Sequence, residues 1–196
     1  HTCIYLEARD GDSVTGLLPL VLTNSRIFGR ILCSLPFVNF GGPLAVDAGT
    51  TQRLLEAAKS HASRLRANYL EVRCAEPLET DLPASLHKIS MTLELEADPD
   101  LLWNKFASKH RTNIRRVYKD GLTVTAGGQE LLPEFYSVMQ RSWRDLGTPL
   151  YGPEYFKAIV DAFLGQTRIF CCRLCGEPIA VAFNGYDAAT VEGMWA

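Results

Sequence analysis

Short apolar runs broken by Gly, Asp and Pro open the chain, and a helical period appears only near residue 50. Residues 3–9, CIYLEAR, have strand character; DGD at 10–12 turns the chain, and SVTGLLPLVLT at 13–23 returns, which predicts a hairpin. Pro19 inside the second run argues for an edge position or a bulge. GRILCSLPF at 29–37 predicts a third strand, and the following segment is a loop carrying Gly41, Gly42 and Pro43. From about Thr51 to Arg66, Leu54, Leu55, Ala58, Ala62 and Leu65 recur at helical spacing. NYLEVRC at 68–74 is a buried type of strand, and EPLETDLPASLHK at 76–88 is a polar connection. ISMTLELE at 89–96 alternates, with Ile89, Met91, Leu93 and Leu95 on one face, and predicts a strand.

Asp98 and Pro99 then form a helix start, because a carboxylate accepts from the first free N–H groups and proline loses no bond at the first position. This helix is expected to continue to about Asp120 and to stop at Gly121. A strand at 122–127, two amphipathic helices at 130–147 and 152–165, and strands at 167–176, 177–187 and 189–196 follow. Tight turns are expected at Gly176-Glu177 and at 187–189. The fold class is α/β of the α+β kind, with mixed, mostly antiparallel sheets flanked by helices. The first half runs strand–strand–strand–helix–strand and the second strand–helix–helix–strand–strand–strand. In the opposite order these halves would be the beginning and end of one unit. The order therefore predicts tandem copies of a single fold, with 1–96 the back of the first and 97–196 the front of the second. The chain starts at His1 and ends in VEGMWA, both strand-like, and is expected to be a piece cut inside structure at both ends.

Composition narrows the chemistry. Of the 196 residues 47% are hydrophobic and 21% charged, enough for proper cores. A formal net charge of -2 and a pI near 6.1 give no global nucleic-acid signature, so any basic function is local. No apolar stretch reaches the length of a membrane span. Six cysteines include one C-x-x-C, Cys172 and Cys175, without the second pair or histidines that a structural zinc site needs. No metal is expected, and scattered thiols suit a reducing cytoplasm better than a disulfide framework.

The local basic function lies in KHRTNIRRVYKDGL, 109–122. On a wheel at about 100° per residue, Leu102, Trp103, Phe106, Ala107, Asn113, Ile114, Val117 and Tyr118 share one side. Lys105, Lys109, Arg111, Arg115, Arg116 and Lys119 cover the other. His110 falls on the apolar face and is expected to be a hydrogen-bonded core residue rather than a catalyst. No glutamate lies between Lys105 and Lys119, so i,i+4 ion pairs are expected to be lacking. Arginine's fork suits phosphate or carboxylate. Anion binding and a plain solvated face both remain open on the pattern alone.

Phe37 to Arg73 resembles the Fem family of aminoacyl transferases, where a glycine- and proline-bearing loop leads through an acidic residue into a helix and then a strand. Lys109, Asn113, Ile114, Lys119, Gly121 and Leu122 fit the family's basic region. SLPFVNFGGP (34–43), RTNIRR (111–116), KDGL (119–122) and RDLGTP (144–149) resemble the FemAB-like group associated with PEP-CTERM/exosortase and exopolysaccharide systems. The resemblance implies two GNAT-like units and acyl or aminoacyl transfer to an amine. It also implies no tightly bound cofactor, a bacterial protein of the cytoplasm near the inner membrane face, and a cell-envelope or exopolysaccharide precursor as acceptor. The donor is implied to be aminoacyl-tRNA or acyl-CoA. Fem enzymes have Arg-Gly-Pro where this chain has Gly41-Gly42-Pro43, which puts the classical acceptor in question.

Such chemistry needs a neutral amine, a positioned carbonyl, donors for the oxyanion and groups for phosphates. Lys109, Arg111, Arg115 and Arg116 are candidates for a phosphate-bearing donor or acceptor, tRNA included. Asn39, Gly41 and Gly42 are candidates to offer backbone N–H groups from an open loop, with a simple tight turn as the alternative. Asp145, with Arg144, is the catalytic candidate: it accepts a proton from the attacking amine or orients it, or else caps a turn, and Thr148 and Tyr151 complete that candidate acceptor site. Trp195 lines a cleft or, more in keeping with aromatic residues, packs in a core. Two rivals stand: an acyl-CoA N-acyltransferase, and a non-catalytic polyanion-binding module on a degenerate transferase fold. The sequence does not set the catalytic base or the oligomeric state.

Overall fold

A computed structural model describes residues 2–85 and 89–196. The chain divides into two compact units, His1–Ile89 and Ser90–Ala196. The fold class is as the sequence predicts: antiparallel-dominated sheets with helices packed on them.

In the first unit β1 (Thr2–Asp10) and β2 (Ser13–Ser25) form the expected hairpin, and β3 (Gly29–Cys33) adds to β2 antiparallel. A two-residue strand β4 (Leu44–Ala45) pairs with Gly16 and Leu17 of β2. Helix α1 (Ala48–Arg64) crosses over, and β5 (Tyr69–Glu71) lies parallel to β3. Asp47 starts α1, its carboxylate accepting from Thr50 N–H at 2.6 Å. The stripe Leu54, Leu55 and Ala58 is buried, with Leu54 and Ala58 packed on Leu18, Leu20, Leu22 and Leu32. Gly16 permits this approach, since a Cβ there would lie 2.8 Å from Thr50 Cγ2. Pro19 is not on an edge strand: β2 is central. Its partners on the second side are β4 up to Leu17 and β3 from Val21, so Pro19 falls in the gap, where no ladder bond is lost.

In the second unit β6 (Leu122–Gly127), β7 (Thr167–Leu174), β8 (Glu177–Tyr186) and β9 (Val191–Trp195) form an antiparallel sheet in that order. Between β6 and β7 come α4 (Leu132–Asp145) and α5 (Pro153–Ala162). Phe135 packs edge-on against Phe156 and Phe183, with centroids at 5.1 and 5.5 Å. Trp195 closes this aromatic core at 5.3 Å from Phe156 and 5.4 Å from Phe183, so it packs rather than lines a cleft. The β7–β8 turn is Cys175-Gly176, one residue earlier than expected, both at positive φ.

Two expectations fail. Residues 89–96 form no strand; Ile89, Met91, Leu93 and Leu95 are all exposed. Alternation describes side chains, whereas a strand also needs a partner backbone, and none of the described strands supplies one here. The predicted helix to Asp120 is two helices, α2 (Pro99–Lys105) and α3 (Ser108–Lys119), because Phe106 and Ala107 take extended backbone with ψ of 139° and 145°. The polar connection read over 76–88 lies partly outside the described residues. No helix among the described residues is long and apolar enough to cross a membrane.

Candidate functional site

The candidates fall on three segments. In the first unit, the loop leaving β3 is fastened to the end of β5. Ser34 N–H donates to Glu71 O at 2.9 Å, and the buried Ser34 hydroxyl accepts from Arg73 N–H at 2.9 Å. Gly41 N–H donates to Arg73 O at 2.9 Å. The Arg73 guanidinium spans the loop, with Nη1 donating to Val38 O at 2.8 Å and Nε to Glu71 at 2.6 Å. The loop therefore closes on one arginine from three directions.

This geometry changes the role of the glycines. Gly41 does not offer its N–H to a ligand, because that group is spent on Arg73 O. Both glycines answer close approach instead. A Cβ on Gly41 would lie 2.6 Å from Leu35 Cβ, and one on Gly42 would lie 2.8 Å from Cys74 Sγ and 3.1 Å from Arg73 O. Leu35 and Phe37 hold φ of +43° and +75°, a left-handed backbone that costs non-glycine residues on the order of 1–3 kcal/mol each. The Arg73 fastening offsets that strain. Asn39, two residues after Phe37, is exposed. Burial and then the charge of Glu71 push the Cys33 thiol up to about 11, and burial raises Cys74 as well. Both shifts work against the thiolate, the nucleophilic form.

In the second unit, α3 carries Lys109, Arg111, Arg115 and Arg116. The helix buries no residue. His110, expected to face inward, is exposed, and Ile114 and Tyr118 are 38% and 67% exposed. The break at Phe106-Ala107 explains this, since it interrupts the continuous wheel that placed His110 among the apolar residues of α2. Some charges are relieved, contrary to expectation: Arg116 pairs with Asp120 at 3.5 Å and Lys105 with Glu96. Arg115 lies over the Trp103 ring at 5.2 Å, a cation–π contact that joins α3 to α2. Among the described residues, Lys109, Arg111 and Lys119 have no carboxylate partner within ion-pair distance.

The third segment joins α4 to α5. Gly147, at φ +72°, closes α4: its N–H bonds Arg144 O and Thr148 N–H bonds Trp143 O, at 3.0 and 2.9 Å. This pair of bonds is the glycine-based helix stop, so Asp145 does not cap the turn. The Asp145 carboxylate instead accepts from Nε and Nη2 of Arg144, each at 3.2 Å, and both side chains are exposed. Tyr151 is half-buried in an aromatic group, 4.7 Å from Tyr155 and 5.6 Å from Trp143.

Sequence reasoning missed Ser34, Glu71 and Arg73. A signal existed: Glu71 and Arg73 stand two apart, on one face, in a strand otherwise read as buried and apolar. Among the described residues no three His, Cys, Asp or Glu side chains are grouped to hold a metal ion. Cys172 lies in β7 and Cys175 in the turn that follows.

The sequence model of the FemAB family matches residues 78–173, which include α2, α3, β6, α4 and α5. No curated protein matches the chain. Among solved structures, the chain is similar to the crystal structure of FemX, with a TM-score of 0.58 at 18% identity over 88% of this chain. It spans about half of that protein, 48% of its chain. The chain is thus similar to the FemAB family over 78–173 and to FemX in its fold.

Proposed function

We propose that the protein is an aminoacyl transferase of the Fem type, which moves an acyl group from a donor ester to an amine of a cell-envelope or exopolysaccharide precursor. The observation that carries this is the FemAB match over 78–173, which includes the basic helix and the α4–α5 connection. The strand and helix order supports two GNAT-like units, the first ending and the second beginning within this chain, with 1–96 and 97–196 as their parts.

In this reading α3 binds the phosphates of a charged tRNA. Lys109 and Arg111 lack a described acidic partner, and Arg115 and Arg116 lie on the same exposed helix. The loop at Asn39–Gly42 positions substrate by shape, since Arg73 holds it and Gly41 N–H is already bonded. Asp145 holds the acceptor amine; its carboxylate takes the proton that nitrogen loses on attacking the ester carbonyl and returns it to the donor's hydroxyl oxygen as the ester C–O bond breaks. Arg144 donates to that carboxylate through Nε and Nη2 and holds it in place. Thr148 and Tyr151 line the same connection. Ester aminolysis is thermodynamically downhill, so positioning and proton transfer suffice and no redox group is needed. The reaction belongs in the cytoplasm, near the inner membrane face, where charged tRNA and envelope precursors meet.

A polyanion-binding module is the second reading, favoured by α3 burying none of its residues. A parallel titration of the full-length protein with charged tRNA, uncharged tRNA and acetyl-CoA separates the readings, repeated with Arg115→Ala/Arg116→Ala. Tight binding that prefers charged tRNA and weakens in the variant is expected. Equal binding of both tRNAs without turnover supports the module. Acetyl-CoA binding indifferent to the variant overturns the tRNA assignment.

A further inference from the structure

One end of the first unit has a surface that the transferase reading does not use. The turn between β2 and β3 presents Ile27 and Phe28 side by side, 85% and 74% exposed. The tip is rigid. The Ser25 hydroxyl accepts from both Ile27 N–H and Phe28 N–H, at 3.2 and 3.1 Å. At its base, Asn68 brackets Arg30, accepting from Arg30 N–H at 2.7 Å and donating to Arg30 O at 2.7 Å. Gly29 is required there, with φ +77° and a virtual Cβ only 2.4 Å from Asn68 Oδ1. This bracket ties the hairpin tip to the connection that leaves α1, and so brings Arg26, Arg30, Arg64 and Arg66 to the same end.

The charge there is of one sign. No Asp or Glu occurs between residues 13 and 46 or between 57 and 70. Arg66 is placed at a cost. It ends α1 in the left-handed conformation, φ +51°, with its N–H on Ser63 O and Ala67 N–H on Ala62 O. Glycine fills that position without strain, so folding alone does not call for an arginine there.

We propose that this end of the first unit docks on an anionic phospholipid bilayer, with Ile27 and Phe28 entering the boundary of the acyl chains and the exposed Arg26, Arg64 and Arg66 meeting the headgroup phosphates. An apolar tip inside a cationic collar matches an interface that is apolar below and anionic above. A nucleic acid satisfies the arginines but offers no apolar phase to Ile27. The rigid tip lowers the ordering cost of insertion. Docking here is independent of donor chemistry, so it stands or falls apart from the transferase assignment.

The test is co-flotation of the full-length protein with vesicles of mixed phosphatidylglycerol and phosphatidylcholine, against vesicles of phosphatidylcholine alone. Wild type is expected to float with the anionic vesicles and to be released by high salt. Ile27→Ser/Phe28→Ser is expected to lower the partition coefficient by roughly tenfold or more. Each arginine removed is expected to lower it about fivefold. Arg66→Gly is the decisive variant. It relieves the left-handed strain, so the fold becomes more stable while binding weakens, and a loss of binding is not a loss of folding. Flotation unchanged in Ile27→Ser/Phe28→Ser, or in Arg66→Gly, overturns the proposal. So does binding to RNA with the same arginine dependence and no flotation.

Discussion

Replacing Arg73 by alanine isolates the fastening of the 34–43 loop. The main-chain bonds Arg73 N–H to Ser34 Oγ and Gly41 N–H to Arg73 O survive the change, so only the side-chain span is lost. The bond to Val38 O at 2.8 Å has a charged donor, which is worth about 1.5–3 kcal/mol. The ion pair with Glu71 is about one-third exposed on both sides, 33% and 38%, and after solvent screening contributes less than about 1 kcal/mol. The sum runs from about 1.5 to 4 kcal/mol, with 2–3 kcal/mol at its middle, comparable with the strain stored at Leu35 and Phe37. Urea unfolding followed by circular dichroism should therefore show a loss of about 2–3 kcal/mol. Limited proteolysis should cut the loop selectively. Arg73→Lys should recover less than half of the loss, because one ammonium replaces a fork that reaches Val38 O and Glu71 at once. A variant within about 0.5 kcal/mol of wild type, with the loop still resistant to protease, would show that Arg73 does not hold it.

Gly42→Ala should destabilise by about 1–3 kcal/mol, since its methyl would sit 2.8 Å from Cys74 Sγ; the same urea melts measure it. The backbone N–H of Thr50 holds the Asp47 carboxyl below its ordinary value of 3.8. The helix-start stabilisation is thus full above that ordinary value and is lost as pH falls through the lowered one; Asp47→Asn keeps a cap and should flatten this acid slope in pH-dependent melts. Cys33 and Cys171, both buried and raised to about 11, should resist alkylation in the native protein at neutral pH, while the exposed Cys3 and Cys175 react; mass spectrometry of digests reads this directly, and early labelling of Cys33 would contradict it.

The elements with a packed face were legible in the sequence. The stripe Leu54, Leu55 and Ala58 gives α1 because those positions meet a sheet, and Phe135, Met139 and Phe156 give α4 and α5 for the same reason. Where no partner surface is present, pattern misleads: 89–96 alternates without pairing, and the α2–α3 segment has helical period but breaks at Phe106-Ala107. The candidate loop is legible in the sequence through its glycines, but the bond that takes up the Gly41 N–H is not. A sequence shows that Gly41 and Gly42 lack side chains. It does not show that Arg73 and Cys74, some thirty residues on, run beside them. Asp145 was placed at a helix end correctly, while the cap belongs to Gly147, whose left-handed φ becomes visible only in the backbone.

The most direct test of the central claim follows the bond that is formed. The full-length protein is incubated with tRNAs charged with radiolabelled amino acids and with an envelope-precursor fraction, then treated with mild alkali, which cleaves the donor ester but spares an amide. Fem-type transfer predicts protein-dependent, alkali-stable label on the precursor, reduced in Arg115→Ala/Arg116→Ala and lost in Asp145→Asn. If the full set of charged tRNAs leaves no alkali-stable label while the protein still binds them, the transferase claim is contradicted.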